Sequence, residues 1–375
     1  MDSSREKSLS DLLFAGAREL DLTPTQYSRA VQHYEAVGQY LDGGPLLVYS
    51  PVIFAQGSMA IGTATKPIGR DEFDIDLMCK LREGCTSQSP ADVKRLVGNR
   101  LKDHGTYKQM LDEKNRCWRL SYAGEFHMDI IPSIPDRRDS SSASLLVPDK
   151  QLHCWKETHP EGYTAWFLNR AEITAVSHVG IQDGARAEVE PAPSSPHESV
   201  KLPLQVIVQL LKRHRDLMFG DDDDAPISII ITTLAARAYE GRGPLTTALS
   251  RTLQRMPGYI RRSAEGHAVV ENPVNPLENF ADKWRKYPQR ARYFQEWVEK
   301  AIYDFQQLEI ATMSTINGPL RQWFGDRVTK KILNDYGSKV QKQRLVGLAV
   351  SGATGLVGGV PGTASASPQH TFFGE

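Results

Sequence analysis

Residues 56–80 read QGSMAIGTATKPIGRDEFDIDLMCK, and the order of polar and apolar residues in this stretch decides the fold. Near its end, Asp74 and Asp76 alternate with apolar residues, and this period of two predicts a β-strand over residues 72–81. In a strand, residues i and i+2 face the same side, so the two carboxylates point together. Because like charges on a half-buried surface repel and resist desolvation, something positive must lie between them.

The flanking residues do not supply that positive charge, since Phe73, Ile75, Leu77 and Met78 are all apolar. A divalent metal ion is the simplest remaining partner for the two carboxylates. Mg²⁺ prefers oxygen ligands and keeps coordination positions open for phosphate oxygens.

A third carboxylate lies on a strand that can pair beside the first. Residues 115–135, NRCWRLSYAGEFHMDIIPSIP, predict a β-hairpin that turns at Ala123 and Gly124 and carries Asp129 on its second strand. Three carboxylates can hold two metal ions about 3.5–4 Å apart, the geometry of in-line phosphoryl or nucleotidyl transfer. We therefore expect two Mg²⁺ ions, with Mn²⁺ as the alternative, at Asp74, Asp76 and Asp129.

The Gly-Ser step ahead of this strand predicts a phosphate contact. Gly57 allows the backbone to approach a ligand closely, and the Ser58 hydroxyl with nearby amides can hold a triphosphate. The alternatives are a chance pair of surface aspartates, a plain turn at residues 57–58, and an Asp129 that caps a neighbouring turn.

Composition indicates a two-lobed protein of the cytoplasm, since 375 residues are long for one hydrophobic core. Lys+Arg and Asp+Glu number 45 each, and the resulting net charge of zero argues against a protein that wraps duplex nucleic acid. The four cysteines form neither a zinc framework nor a disulfide set, which favours a reducing compartment. The N-terminus lacks the apolar core of a signal peptide, and residues 345–360 are a poor membrane span, so no membrane partner is expected.

The pattern along the chain predicts an α+β fold, with a mixed α/β first lobe and a helical second lobe. Helices are predicted at residues 7–18 and 24–42, the second with Thr23 as N-cap and Pro24 at its first position. Residues 134–150 are predicted as a loop and residues 183–199 as a linker.

Helical spacing of apolar residues recurs after the linker. The predicted helices are residues 200–219, 227–239, 290–308 and 326–344. The expected divisions are a catalytic lobe at residues 1–180, a helical lobe at residues 200–344 and a flexible tail at residues 345–375.

Three stretches resemble the signature of the polymerase-β-like nucleotidyltransferases: GSMAIGTATKP (57–67), DEFDIDLMCKL (71–81) and FHMDIIP (126–132). More narrowly, they resemble the bacterial CD-NTases, relatives of cyclic GMP-AMP synthase and oligoadenylate synthase that make cyclic oligonucleotide messengers in CBASS anti-phage defence. A looser resemblance continues through QLLKRHRD, ISIIITTLAARAY and NPVNPLENFADKW. The resemblance implies a polymerase-β-like core of mixed sheet and helices, a helical C-terminal lobe that completes the nucleotide pocket, and synthesis of a cyclic di- or trinucleotide from NTPs.

The same resemblance implies roles for individual residues. Asp74 and Asp76 would bind both metal ions, and Asp129 would bind the catalytic ion and help to deprotonate the attacking ribose hydroxyl. The residues expected at the donor triphosphate are Gln56, Gly57 and Ser58.

Two further matches lie in the second lobe. Lys212 matches the family's helical lysine that reaches nucleotide phosphates, and Ser228 falls where relatives use a hydroxyl near the nucleotide. The alternatives are a solvated lysine on an amphipathic helix and a serine N-cap that follows Pro226.

Three other patterns are interpreted without a catalytic role. Residues 221–224 are four acids that predict a solvated loop. His127 is interpreted as a satisfied strand histidine, with a contact to Asp129 as the alternative. The basic residues within 282–293 are interpreted as a solvated helix start, with a nucleic-acid patch as the alternative.

Partners follow from the resemblance as well. The substrates are expected to be NTPs, ATP first, with GTP or a pyrimidine NTP as alternatives, and a downstream effector is expected to respond to the product. In related operons an E1-like enzyme handles the synthase C-terminus, so FFGE (372–375) is expected to meet E1-like or ubiquitin-like conjugation machinery. The absence of a Cys/His cluster argues against a nucleic-acid activator. The alternative functions are a linear oligonucleotide-forming or RNA-tailing nucleotidyltransferase and a catalytically silent nucleotide-binding module.

Overall fold

The computed structural model describes residues 3–69, 72–85, 87–138, 144–151, 153–173, 189–195 and 200–345. The helices are α1 (Ser3–Leu20), α2 (Pro24–Leu41), α3 (Gly57–Ala60), α4 (Pro90–Lys102), α5 (Tyr107–Met110), α6 (Pro160–Glu172), α7 (Pro203–Phe219), α8 (Ser228–Ala238), α9 (Leu245–Arg255), α10 (Pro288–Ile310) and α11 (Asn317–Leu345). The strands are β1 (Pro51–Gln56), β2 (Phe73–Leu81), β3 (Leu111–Glu113), β4 (Trp118–Tyr122), β5 (Phe126–Pro135), β6 (Leu145–Asp149), β7 (Cys154–Thr158), β8 (Arg261–Arg262), β9 (Ala268–Val269), β10 (Glu271–Asn272) and β11 (Asn275–Asn279).

A seven-stranded mixed sheet forms the first lobe, in the order β1-β2-β5-β4-β3, with β6 pairing β5 and β7 pairing β6. β2 and β5 run parallel, whereas the other pairs are antiparallel. The register sets Gln56 opposite Asp76, Asp76 opposite Asp129, and Asp129 opposite Arg119. Four adjacent strands therefore place four polar side chains in one row across a single face of the sheet.

The opposite face of the sheet explains why this register is fixed. Ile75, Leu77 and Cys79 alternate with the aspartates of β2 and are buried in a core that α2 and α4 complete. A slip of one residue would carry Asp76 into that core and Leu77 out of it. Burial of the apolar half of β2 thus holds the acidic half on the other face.

The helical lobe has its own core, built from α7 to α11. Helix α10 has the predicted shared face, since Phe294, Trp297, Ala301, Phe305 and Leu308 are all buried. α1 and α6 also bury their apolar residues in this core. An apolar stripe predicts that a helix packs but not against which partner, so this contact of α1 was not foreseen, and the lobe boundaries stay a prediction.

The termini of the predicted helices agree with the structure to within a few residues. Thr23 forms a capping box with Gln26 at the start of α2. The predicted helix at 326–344 is the second part of α11, which Gly325 separates from the first part by a non-helical backbone of positive φ. Of the predicted tail 345–375, all but Leu345 lies outside the described residues.

Two connecting segments differ from their predictions. Residues 134–150 are only partly a loop, because β5 continues to Pro135 and β6 pairs antiparallel with it. Within the predicted linker, the described residues 189–195 include Val189, which bridges to Ile53 of β1 and packs into the sheet core. Among the described helices, none combines the length and the apolar character needed to cross a bilayer.

Candidate active site

The Gly-Ser step lies directly over the carboxylate row. β1 ends at Gln56, and α3 begins at Gly57, whose φ of +66° belongs to the left-handed region. A Cβ on Gly57 would overlap the carboxylate of Asp76. Only glycine therefore allows both the backbone turn and the close approach of that turn to the acid.

The three predicted acids are neighbours but differ in environment. Asp74 is 64% exposed at the side chain, whereas Asp129 is 15% exposed. Burial, followed by the charges of Asp129 and Asp74, raises the pKa of Asp76 to about 7. A buried carboxylate crowded by two other acids offers oxygen ligands of the kind that a hard divalent cation such as Mg²⁺ prefers.

Arg119 is a member of the row that the flanking-residue argument missed. Its Nε and Nη2 donate to the two carboxylate oxygens of Asp129 at 2.7 and 2.8 Å, and its Nη2 lies 3.7 Å from Asp74. The residues that flank Asp74 and Asp76 along β2 offer no cation, as stated, but β4 supplies one from across the hairpin. A bidentate arginine–carboxylate pair of this kind is both strong and strongly oriented.

The pairing of Asp129 with Arg119 bears on the predicted metal site. No three carboxylate, histidine or cysteine side chains in the described part of the chain converge tightly enough to hold an ion. Both carboxylate oxygens of Asp129 accept hydrogen bonds from Arg119, so this acid is already paired with a side-chain cation. The assignment of Asp74, Asp76 and Asp129 as metal ligands stays a prediction.

Lys212 is buried on α7 and lines the site, so the interpretation as a solvated lysine was wrong. Its Nζ donates to the carbonyl of Thr63 at 2.9 Å, and burial lowers its pKa to about 8. Gln205 and Gln209 of the same helix donate to the carbonyls of Ile61 and Ala64 at 3.0 and 2.7 Å. Helix α7 therefore fixes the loop that follows α3, and contact of Lys212 with phosphate stays a prediction.

Ser228 is the first residue of α8, and Ile227 occupies the N-cap position, so the alternative of a serine N-cap was wrong. The Ser228 hydroxyl accepts a hydrogen bond from Nη2 of Arg215 at 3.1 Å. Arg215 also donates to the carbonyl of Pro226 and pairs with Asp216. Arg215, which no sequence pattern singled out, therefore holds the residues at the start of α8 in place.

A cleft of about 1200 Å³ lies between the sheet and the helical lobe. Seven of the eight predicted site residues line it: Gln56, Gly57, Ser58, Asp74, Asp76, Lys212 and Ser228. Asp129 is the exception, in keeping with its pairing to Arg119. The cleft is also lined by β7 and β11, which the sequence did not single out, and by the turn at Asp282–Trp284. The volume exceeds the usual range for one small ligand, so there is room for more than one nucleotide.

The remaining interpretations are partly corrected. Within 221–224, Asp224 is not simply solvated, because it accepts from Gln289 and Arg290 at 2.7 and 2.8 Å. His127 contacts Glu72 at 3.1 Å rather than Asp129. The basic residues within 282–293 are mostly solvated as predicted, since Lys283, Arg285, Lys286 and Arg292 are exposed, whereas Arg290 is ion-paired with Asp224.

Comparison with known proteins agrees with this geometry. A family model described as Second Messenger Oligonucleotide or Dinucleotide Synthetase domain matches residues 18–170. The chain is 29% identical to a c-di-GMP synthase of Roseivirga ehrenbergii over 381 residues, which cover 100% of this chain and 99% of the relative. It is 28% identical to the cyclic dinucleotide synthase CdnG of Bradyrhizobium diazoefficiens, with coverages of 96% and 93%. The solved structure of the CD-NTase CdnG from that organism in complex with GTP matches with a TM-score of 0.69 and 22% identity, covering 88% of this chain and 99% of that chain.

A mixed sheet with an acidic row under a Gly-Ser turn, joined to a helical lobe and carrying the matched domain, defines a nucleotidyltransferase of the polymerase-β-like fold. Residues 18–170 carry the matched synthetase domain, and the chain is similar along its length to bacterial CD-NTases. These similarities support the predicted family, and the predicted fold class and enzyme class are confirmed.

Proposed function

We propose that this enzyme joins NTPs into a cyclic dinucleotide messenger, with Mg²⁺ as its cofactor and pyrophosphate as the by-product. The observation that carries the proposal is the acidic row of β2 and β5 beneath the Gly-Ser turn, at one side of a cleft large enough for two nucleotides. The end-to-end similarity to two proteins named as cyclic dinucleotide synthases supports a cyclic product.

The chain's own residues supply positioning and charge. Asp74 and Asp76 would hold the metal, with Asp129 joining them once it is free of Arg119, and the bound metal would neutralise the charge that develops on the transferred phosphoryl group. Gly57 and Ser58 would present backbone amides and a hydroxyl to the donor triphosphate. The Asp129 carboxylate would accept the proton of the attacking ribose hydroxyl.

Two successive transfers in one cleft are sufficient for cyclisation. The first transfer joins the 5′ α-phosphorus of one NTP to a ribose hydroxyl of the other, and pyrophosphate leaves. The linear product retains one triphosphate and one free ribose hydroxyl, so a second transfer of the same kind closes the ring. A cleft that holds both nucleotides lets the intermediate turn over without release.

The double variant Asp74→Asn with Asp76→Asn tests this function. We expect it to lose synthesis by more than about a thousandfold while it retains its fold, since both changes conserve side-chain size and remove only charge. The assay is mass spectrometry of the products formed from mixed NTPs and Mg²⁺, after treatment with alkaline phosphatase. A cyclic product resists the phosphatase because it has no terminal phosphate, whereas a linear product does not.

Retained activity in the double variant would refute the assignment of the acids. A phosphatase-sensitive product from the unchanged protein would instead favour a linear transferase. We also propose an anti-phage role, a downstream effector, and handling of the C-terminal tail by E1-like machinery. These three proposals follow from the family resemblance, and the tail lies outside the described residues.

A further inference from the structure

A half-buried carboxylate that forms no direct ion pair faces the cleft from the helical lobe. Glu278 lies on β11, lines the cleft and is half-buried. Its Oε2 accepts a hydrogen bond from Nδ2 of Asn272 at 2.8 Å, and it forms no ion pair with any residue that the structure describes. Burial raises the pKa of this carboxyl group, and the hydrogen bond from Asn272 and the charge of Arg116 offset only part of that rise. A carboxylate that is withdrawn from water without a directly bound cation is costly unless a ligand provides hydrogen-bond donors.

The other cleft carboxylates outside the acidic row are already satisfied or exposed. Glu72 binds His127 and the amide of Gly124, Glu157 pairs with Arg138, and Asp216 pairs with Arg215. Asp221 and Asp282 are exposed to solvent. Outside the acidic row, Glu278 is the described cleft carboxylate that combines partial burial with the absence of a direct ion pair.

The position of Glu278 suits contact with a base rather than with phosphates. A carboxylate repels phosphate, and the predicted phosphate contacts are at Gly57 and Ser58, beside the metal that the acidic row would hold. Glu278 is held on the β10–β11 hairpin of the helical lobe, on the part of the cleft wall where β11 packs against β7. The nucleobase is the part of an NTP that points away from its phosphates, so a group on this wall would meet the base.

The four bases differ in what they offer a carboxylate, which only accepts hydrogen bonds. The Watson–Crick edge of guanine presents N1–H and a 2-amino N–H side by side, so both can donate to the two oxygens of one carboxylate. Adenine and cytosine place a ring-nitrogen lone pair beside their amino group, and uracil places its single N–H between two carbonyl oxygens. In each of these three, an acceptor would face an acceptor.

We propose that Glu278 recognises the Watson–Crick edge of guanine, so that GTP is at least one of the two substrates. This inference rests on the proposed function of the cleft and adds the identity of a base to it. Asn272 acts as a positioning residue, because its amide fixes one carboxylate oxygen while leaving that oxygen a second lone pair.

The test measures binding without turnover, using the α,β-methylene analogues of GTP, ITP and ATP with Mg²⁺ in calorimetric titrations. We expect the unchanged protein to prefer the GTP analogue over the ATP analogue by about 100-fold or more, and over the ITP analogue, which lacks the 2-amino group, by about tenfold. Glu278→Gln should weaken binding of the GTP analogue by about 10- to 100-fold, remove the GTP–ITP difference and change ATP-analogue binding by less than about threefold.

Glu157→Gln is the matched control, because it removes the same charge from a cleft carboxylate that Arg138 already occupies. It should leave the guanine preference unchanged. Glu278→Asp keeps the charge and shortens the side chain, and is expected to retain part of the preference even if the glutamine variant folds poorly. Thermal unfolding of each variant identifies any loss of fold.

A guanine preference that survives in Glu278→Gln, or one that is absent from the unchanged protein, would overturn the inference. Failure of the proposed function has a different signature. In that case no cyclic product forms from any NTP mixture, while the guanine preference and its loss in Glu278→Gln are still measured.

Discussion

Replacement of Asp76 by asparagine is expected to stabilise the metal-free enzyme while it removes activity. Asp76 is crowded by Asp129 and Asp74, and burial together with their charges raises its pKa to about 7 from an ordinary value of 3.8. The folded metal-free protein therefore holds an ionised group in a place that disfavours its charge. Asparagine has nearly the same shape and no charge to desolvate.

The magnitude and its pH dependence follow from the two pKa values. The pKa of Asp76 is higher in the folded protein than in the unfolded protein. Its contribution to stability is therefore fully present below the unfolded pKa and is lost as the pH rises through the folded pKa. The rise of the Asp76 pKa from 3.8 to about 7 lowers the free energy of unfolding by about 4 kcal/mol above pH 7. This figure is an upper bound, because Asp76 remains partly exposed. At pH 5 only the interval between the unfolded pKa of 3.8 and pH 5 contributes, so the free energy of unfolding is lowered by about 1.6 kcal/mol.

The assay is urea unfolding of the unchanged protein and Asp76→Asn in a metal chelator, at pH 5 and pH 8. The variant should be the more stable at both values, with the larger difference at pH 8, and saturating Mg²⁺ should narrow that difference by binding the unchanged site. Asp74→Asn is the control, since its 64% exposed carboxylate should change the free energy of unfolding by less than about 0.5 kcal/mol. An Asp76→Asn protein that is no more stable at pH 8 than the unchanged protein would refute the reasoning.

Two further substitutions address the neighbours of Asp76. In Gly57→Ala the new Cβ would overlap the Asp76 carboxylate, and the backbone there is left-handed. We therefore expect the free energy of unfolding to fall by about 1–3 kcal/mol and most activity to be lost, as measured by urea unfolding and turnover. Gly69→Ala, which has a similar φ and open space around it, should show the backbone cost alone. Arg119→Gln removes the cation that competes for Asp129, so Mn²⁺ affinity by electron paramagnetic resonance should rise about tenfold. Arg116→Gln, whose arginine pairs with Asp149, serves as its control, and an unchanged Mn²⁺ affinity in Arg119→Gln would show that the pair does not compete.

The hairpin shows how much of the site was accessible from sequence. A turn at Ala123 and Gly124 pairs Tyr122 with Phe126, and counting back along both strands sets Arg119 opposite Asp129. The alternation of β4, with Trp118 and Leu120 buried, puts Arg119 on the polar face. Neighbours along one strand do not reveal this partner, because a sheet brings charges together across strands.

The part of the cleft wall formed by β7, β10 and β11 shows what could not be predicted. β7, β10 and β11 are two to five residues long, so their alternation is too short to distinguish a strand from a turn. Their place in the cleft depends on the packing of two lobes that are distant in sequence. Glu278 carries no local signal of its role, since its significance lies in its burial in the cleft without a direct ion pair.

Helix α7 explains why the two lobes form one active site rather than two adjoining domains. Its apolar residues lie in the helical core, while Gln205, Gln209 and Lys212 donate to carbonyls of the loop that follows the Gly-Ser turn. Carbonyls in a buried loop need donors, and the loop's own short helix α3 cannot supply them. The position of the predicted triphosphate contact is therefore set by the second lobe. A shift of α7 would move the Gly-Ser turn relative to Asp76, and the space between Gly57 and Asp76 is too small even for an added Cβ. The packing of the two lobes and the geometry of the acids are therefore coupled.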